Sequence, residues 1–262
     1  MQPGIISSVG SRIQKRLRNA LEFYMFSISV FFKLYRLRQL KGISKTVLLR
    51  QIMFTGYDAI ALIGFISLST SALIIIEVHQ IMGQLGESQL VYDLMVLIVI
   101  RQASSLFTAL VVIARSGTSI STELGNMVVH KEIDLLNSFG ISPFAYLVVP
   151  RVVGVVVSLF TLTLYFNLLA ILGGAVFYSF FYDISIGYFI NRLIRQLTLL
   201  ELFIPVIKSV LFGFAIGLLS CYQGLKVRVA STEVPQRTMR SVVNSVVSVL
   251  VLNIVVTLHE YI

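Results

Sequence analysis

The strongest constraint on this chain is a series of long apolar runs between Tyr57 and Leu258. A bilayer's hydrocarbon core is about 30 Å thick and takes about 20 helical residues to cross. Within it every peptide group must find its partner inside the protein, which favours helices. The chain has 262 residues, of which 13% are charged. Soluble domains typically carry about 25%, and the mean hydropathy here is +0.89. We expect an all-α integral membrane protein with five transmembrane helices, at about 57–76, 94–114, 152–182, 202–220 and 241–258. No polar stretch is left over for a soluble domain. The third run exceeds one crossing, so the sequence predicts a tilt or break near Gly173 and Gly174, with a further short insertion possible within 175–200.

Charge placement gives the expected orientation. Residues 1–50 hold ten Lys and Arg (Arg12, Lys15, Arg16, Arg18, Lys33, Arg36, Arg38, Lys41, Lys45 and Arg50) against one acid, Glu22. Ile5, Val9, Ile13 and Leu17 recur at four-residue steps on one helical face. The run 23–32 is too short to span and is basic on both sides. These features predict an interfacial amphipathic elbow over 1–50, ahead of a five-span domain over 51–262. No cleavable leader is expected, because no small-residue cleavage site follows a clean apolar core. The segment after the first span carries Glu77, His79, Glu87 and Asp93 without Lys or Arg, and the segment after the third carries only Arg192 and Arg195 as bases. The positive-inside rule then puts the N-terminus in the cytoplasm and the C-terminus outside.

Catalytic signatures are absent. The chain has no phosphate-binding G-x-x-x-x-G-K-[ST] loop and no G-x-S-x-G elbow. His79, His130 and His259 are far apart in sequence, and the single cysteine, Cys221, excludes a disulfide framework. No cofactor, metal or nucleic-acid partner is expected. Ionisable residues within the spans are sharper signals, since each costs about 2.5–3.5 kcal/mol at a helix centre. Arg101 and Lys208 fall six or seven positions from the outer ends of the second and fourth spans, so two cations share one depth. With Gln102 beside Arg101, they could grip an anionic headgroup, Arg as a planar fork and Lys as a point charge. They could equally snorkel toward the outer headgroups. Asp58, at the start of the first span, reads as structural.

Between the second and third spans lies a polar block, 114–151. Ile120, Leu124, Met127 and Val128 form one apolar stripe, while Glu123, His130, Lys131, Glu132 and Asp134 leave a charged face. Gly117 precedes the predicted helix, and Gly140 and Pro143 stop it. Such a helix can lie idle in the interface or serve as a handle for a soluble partner.

The block also resembles a family signature. Ala114-Arg115-Ser116-Gly117-Thr118-Ser119-Ile120-Ser121-Thr122-Glu123-Leu124-Gly125 is similar to the G-R-A-G-[ST]-x-[IL]-x-[AT]-E-[IL]-G segment of MlaE-family permeases, subunits of Mla- and Mce-type phospholipid ABC transporters. Glu132-Ile133-Asp134-Leu135-Leu136, Phe139-Gly140-Ile141-Ser142-Pro143 and Tyr146-Leu147-Val148-Val149-Pro150-Arg151 follow the same pattern, with one spacer missing. Tyr222-Gln223-Gly224-Leu225 and an Arg237-to-Arg240 turn resemble its later signature. The likeness covers nearly the whole chain.

The resemblance implies a non-catalytic subunit of the bacterial inner membrane that forms a homodimer around a lipid cavity. Partners would be a cytoplasmic ATPase, a periplasmic MCE-domain protein, phospholipid and a possible small regulatory protein on the ATPase. It makes about 117–139 the coupling helix, with Thr118, Ser121, Glu123, Leu124, Met127, Lys131 and Glu132 toward the ATPase. It makes Arg101, Gln102 and Lys208 part of the lipid site. Two departures stand out. The family's acid beside the arginine is Gln102 here, which predicts an Arg101 without its internal carboxylate. A usual glycine-rich stretch is replaced by residues 226–234. Other classes remain open on the residues alone: a self-contained secondary transporter or channel, or a structural membrane scaffold for an MCE protein.

Overall fold

The computed structural model describes residues 14, 18, 21–32, 43–85, 90–182, 185–228 and 230–261. Ile5, Val9, Ile13 and Leu17 lie outside them. All regular structure among the described residues is helical, and five stretches are long and apolar enough to cross a membrane, each with a mean hydropathy above 2. A short apolar helix α1, Leu21–Phe32, precedes them. The first crossing, Leu48–Val78, combines α2 (Ile43–Gly56) and α3 (Ile60–Leu85) across a single 3-10 turn. Asp58 sits at that turn, where Arg115 Nη2 contacts its carboxylate at 3.2 Å and Arg115 Nη1 donates to its carbonyl. Its role is thus to fasten the first crossing to the second.

The second crossing is one rod from Tyr92 to Val129. It runs through α4 (Leu90–Leu94), a π-helical stretch Met95–Ala103, α5 (Ser104–Val112), a second π turn Ile113–Gly117 and α6 (Thr118–Val129). The expected loop before the polar block does not exist: Gly117 has helical torsions, φ −62° and ψ −43°, and the span continues into α6. Glycine is kept there for space instead, since a Cβ would sit 3.2 Å from Ser220 Oγ. The break comes later, at Lys131, whose φ of +59° ends α6 and starts α7 (Glu132–Ser138). The expected single helix over 117–139 is therefore two. Gly140, at φ +72°, closes α7 as the sequence predicts. Its N–H bonds Asn137 O at 2.9 Å and that of Ile141 bonds Leu136 O at 2.9 Å, the paired bonds of a Schellman cap.

A third π turn, Phe144–Val148, leads into α8, Val149–Tyr182, which is unbroken. The expected break at Gly173 and Gly174 is absent for a packing reason. A Cβ on Gly173 would meet Leu68 Cδ2 at 2.5 Å, and one on Gly174 would meet Met95 Cε at 2.6 Å and Ser71 Oγ at 2.8 Å. The pair lets α3 and the second crossing close on α8. Ser67 and Ser71, one turn apart on α3, donate across that contact to Phe166 O at 2.7 Å and Ala170 O at 2.8 Å. After α8 comes α9, Ile186–Gln196, a short amphipathic helix whose Phe189 and Leu193 are buried against Tyr92 and Tyr178. It is the insertion that the region 175–200 left room for.

Helix α10, Leu199–Leu225, opens with a capping box of Thr198 and Glu201, and α11, Glu233–Tyr261, closes the described chain. Arg237 and Arg240 belong to α11 rather than to a turn. Helix α8 sits centrally against α2, α3 and α10, while α10 also packs on α6 and α11. The apolar side chains of α11 at Val243, Val247, Leu250, Val251, Ile254, Val255 and Leu258 face outward, and its Ser241 and Ser245 face inward. This distribution suits a lipid solvent, in which small and polar residues mediate helix contacts.

The closest backbone approach is between α8 and α10. Gly213 and Gly217 lie one turn apart, and a Cβ on each would stand 2.7 Å and 3.0 Å from the Cα atoms of Val156 and Val152. Backbone cannot swing aside as a side chain can. We expect Gly213→Val to destabilise the protein by about 1–3 kcal/mol, the usual range for overpacking, measured as thermal unfolding in detergent. Unchanged unfolding would mean that α8 and α10 are not in this contact.

Candidate functional site

Arg101 and Lys208 each lie nine residues from the start of their spans, Tyr92 and Leu199, or about 14 Å along the helix at 1.5 Å per residue. The structure brings them together through a residue that sequence reasoning missed. Glu260, near the end of α11, accepts from Arg101 Nε at 2.9 Å and Nη2 at 2.8 Å through Oε2. Its Oε1 stands 3.3 Å from Lys208 Nζ. Lys208 is fully buried at 0% exposure and does not reach the surface by snorkelling within the chain. Its Nζ donates to Gln102 Oε1 at 3.0 Å and Thr257 Oγ1 at 3.1 Å. Gln102 Nε2 in turn lies 3.4 Å from Thr257 Oγ1. Arg101 is therefore not released by the loss of a neighbouring acid, as the sequence suggested. The carboxylate comes from another helix.

Local backbone explains how Arg101 and Gln102 both serve this cluster. They sit in the π-helical stretch Met95–Ala103, where Ser104 N–H reaches Val99 O. A π turn holds more residues per turn than an α-helix and is common at functional sites. The signal for Glu260 was present in α11. Ser241, Ser245, Val249, Asn253 and Thr257 recur every four residues, and that stripe runs on to Glu260.

The other end of the bundle carries the polar block. Ile120 and Leu124 are buried, and Met127 is half-buried, as the stripe predicts. Ser121 is also buried. Of the seven block residues singled out from the sequence, Ser121 and Leu124 thus anchor α6 inward, while Glu123, Lys131 and Glu132 are exposed and Thr118 is intermediate. Glu123 accepts from the buried Arg151 Nη2 at 2.8 Å, joining the two ends of the block. Helix α6 seats on α10 and α11: a Cβ on Gly224 would meet Ser121 O at 2.8 Å, and Thr122 and Thr238 share a 3.0 Å hydroxyl contact.

Beside α7 lies a groove of about 840 Å³, lined by Phe26, Ile133, Asp134, Pro143, Tyr222 and Lys226 among others. Helix α1 forms one wall, held by Phe23 and Phe26 against Tyr222 and by Lys226 Nζ donating to Glu22 Oε2 at 2.8 Å. The hydrogen bond from Lys226 and its charge hold the Glu22 carboxyl below its ordinary range. Burial works against the Lys226 ammonium, but the bonds to Glu22 and Tyr222 outweigh it and raise its pKa. Residues 226–228 and 230–232, where the family's glycines are missing, form a short turn, with Val227 and Val234 against Gly125 and Glu233 Oε2 accepting from Arg228 N at 3.1 Å. Among the described residues, no group of three His, Cys, Asp or Glu side chains is placed to hold a metal ion.

Comparison with known proteins agrees with this architecture. Residues 48–259 match the family model described as permease MlaE. A probable ABC transporter permease of Rickettsia conorii is 24% identical over 97% of this chain and 96% of its own length. The chloroplastic protein trigalactosyldiacylglycerol 1 of Arabidopsis thaliana is 28% identical over 84% of this chain and 63% of its own length. A probable ABC transporter permease of Synechocystis is 31% identical over 58% of both chains. The helices, their small-residue contacts and the match across four-fifths of the sequence place this multi-pass membrane protein in the MlaE permease family, as a transporter permease.

Proposed function

We propose that this chain is the membrane subunit of an ATP-driven phospholipid transporter of a bacterial inner membrane. Two copies would enclose a lipid cavity, a separate cytoplasmic ATPase would supply energy, and an MCE-domain protein would exchange lipid on the periplasmic side. The basic residues 1–50 would form the interfacial elbow, with the N-terminus cytoplasmic and the C-terminus periplasmic. The observation that carries this reading is the membrane-buried cluster of Arg101, Lys208 and Glu260, two cations against one acid. Buried charge in a span is costly and marks a substrate path more often than a scaffold. Supporting it, two relatives are named probable ABC transporter permeases, and another carries a diacylglycerol lipid in its name.

The geometry suggests a division of labour. An ATPase would press on the exposed surface of α6 and α7, chiefly Glu123, Lys131 and Glu132, while Arg101, Gln102 and Lys208 would hold a lipid phosphate at the other end. The rod Tyr92–Val129 contains both Arg101 and Glu123, so movement at one is passed along one helix to the other. Such transmission needs a rigid element that both sites bias.

Two experiments test the reading. Single cysteines in place of Glu123 or Lys131, in a complex co-expressed with the adjacent ATPase, should give a crosslink to that ATPase. No crosslink from either position removes the coupling role. The double variant Arg101→Ala, Lys208→Ala should lower co-purifying phospholipid about tenfold or more, since charge-assisted hydrogen bonds are worth about 1.5–3 kcal/mol each. Unchanged lipid content and transport would leave the cluster a structural tie. Transport by the purified chain in liposomes without ATP would identify a self-contained transporter instead.

A further inference from the structure

The cluster has an unequal charge count. Arg101 and Lys208 contribute two positive charges and Glu260 one negative, all within 3.3 Å of one another's partner atoms. The nearest other acids on these helices are spoken for: Asp93 accepts from Gln196 Nε2, and Glu201 caps Thr198 N–H at 2.8 Å. Both sit about two turns nearer the helix ends. His259, beside Glu260 in sequence, is exposed. Every neighbour found for Lys208 Nζ is an oxygen that accepts, which suits an ammonium rather than a neutral amine.

The hydrogen bonding is also incomplete, and in a complementary way. An ammonium has three N–H donors, and Lys208 hydrogen-bonds two acceptors, Gln102 and Thr257. Glu260 Oε1, though buried, accepts no hydrogen bond, because Lys208 stands off at 3.3 Å. The cluster thus lacks one acceptor for a cation and one donor for a carboxylate. Arg101 is its most accessible member, its side chain 15% exposed against 8% for Glu260 and 0% for Lys208.

Resting on the lipid-binding reading above, we propose that Glu260 makes this a charge-selective headgroup site, favouring phospholipids of net charge −1 with a hydroxylated headgroup over zwitterionic amine lipids. A phosphodiester oxygen supplies the missing acceptor, and a headgroup hydroxyl supplies the missing donor for Glu260 Oε1. One negative charge then balances the excess positive charge. An aminoethyl headgroup also brings a donor, but its ammonium restores the excess within a few ångströms of Arg101 and Lys208. In a medium of low dielectric that repulsion is felt strongly. Glu260 therefore acts by setting the charge that the site is left with.

The test uses the full-length chain in detergent, equilibrated with vesicles of equal phosphatidylglycerol and phosphatidylethanolamine, with bound lipid counted by mass spectrometry. We expect phosphatidylglycerol to be enriched about three- to tenfold, the effect of roughly half to one tenfold step in affinity. Glu260→Asp should keep that preference. Glu260→Gln should shift it toward a lipid of two negative charges when cardiolipin is included. Equal recovery of both lipids, lost in the Arg101→Ala, Lys208→Ala variant, overturns charge selection while leaving the lipid site intact. Lipid recovery that ignores the double variant overturns both. Should Glu260→Gln not fold, the wild-type ratio and Glu260→Asp still decide the matter.

Discussion

An ammonium at 0% exposure inside a bilayer must be held entirely by the protein, and Lys208 is held by three helices. Gln102 comes from the second crossing, Thr257 and Glu260 come from α11, and Lys208 itself comes from α10. Each charge costs about 2.5–3.5 kcal/mol to insert at mid-helix. Removing one partner from such a group is worse than never having it, because the other is left buried and bare. The registers of α10 and α11 and of the second crossing are therefore tied to one another at this point. An apolar contact tolerates a slide of one turn far better than this cluster would. The ion cluster fixes which ends meet, and the glycine contacts fix how closely.

The far ends of the same three elements meet again around α6. Gly224 of α10 lies on Ser121, Thr238 of α11 meets Thr122, and Glu123 reaches the buried Arg151 at the head of α8. A structure with two such ties, one apolar and hydroxyl-lined, the other ionic, resists independent motion of its helices. Displacement of α6 has to be absorbed by the whole group. That is the mechanical requirement for a subunit moved from one face to act at the other.

The sequence exposed the architecture because apolar length is a one-dimensional signal. All five crossings, the short α1 and the inward stripe of α6 follow from hydropathy and helical period. What it hid was packing. Gly173 and Gly174 read as a break, since glycine weakens helices by about 1 kcal/mol relative to alanine. In place they admit Leu68 and Met95, and contact with neighbours outweighs that local cost. Gly117 read as a helix start for the same reason, and Ser220 explains it instead. Lys131 ends α6 in a left-handed conformation that composition does not announce.

The cluster was half legible, and the missing half teaches the most. A depth argument paired Arg101 with Lys208 because each is an isolated charge in an apolar run. Glu260 escaped because it lies near the end of its run, where an acid beside water needs no explanation. Helix α11 reaches one turn past the expected boundary, and the four-residue stripe through Asn253 and Thr257 points Glu260 back into the bundle. Replacement of an acid by Gln102 looked like a lost ion pair. It is better understood as a relocation: the amide keeps its oxygen on Lys208, and the negative charge moves to a different helix. A carboxylate on α11 also ties that helix to the state of the site, since any anion that competes for Arg101 and Lys208 must loosen α11 to do so.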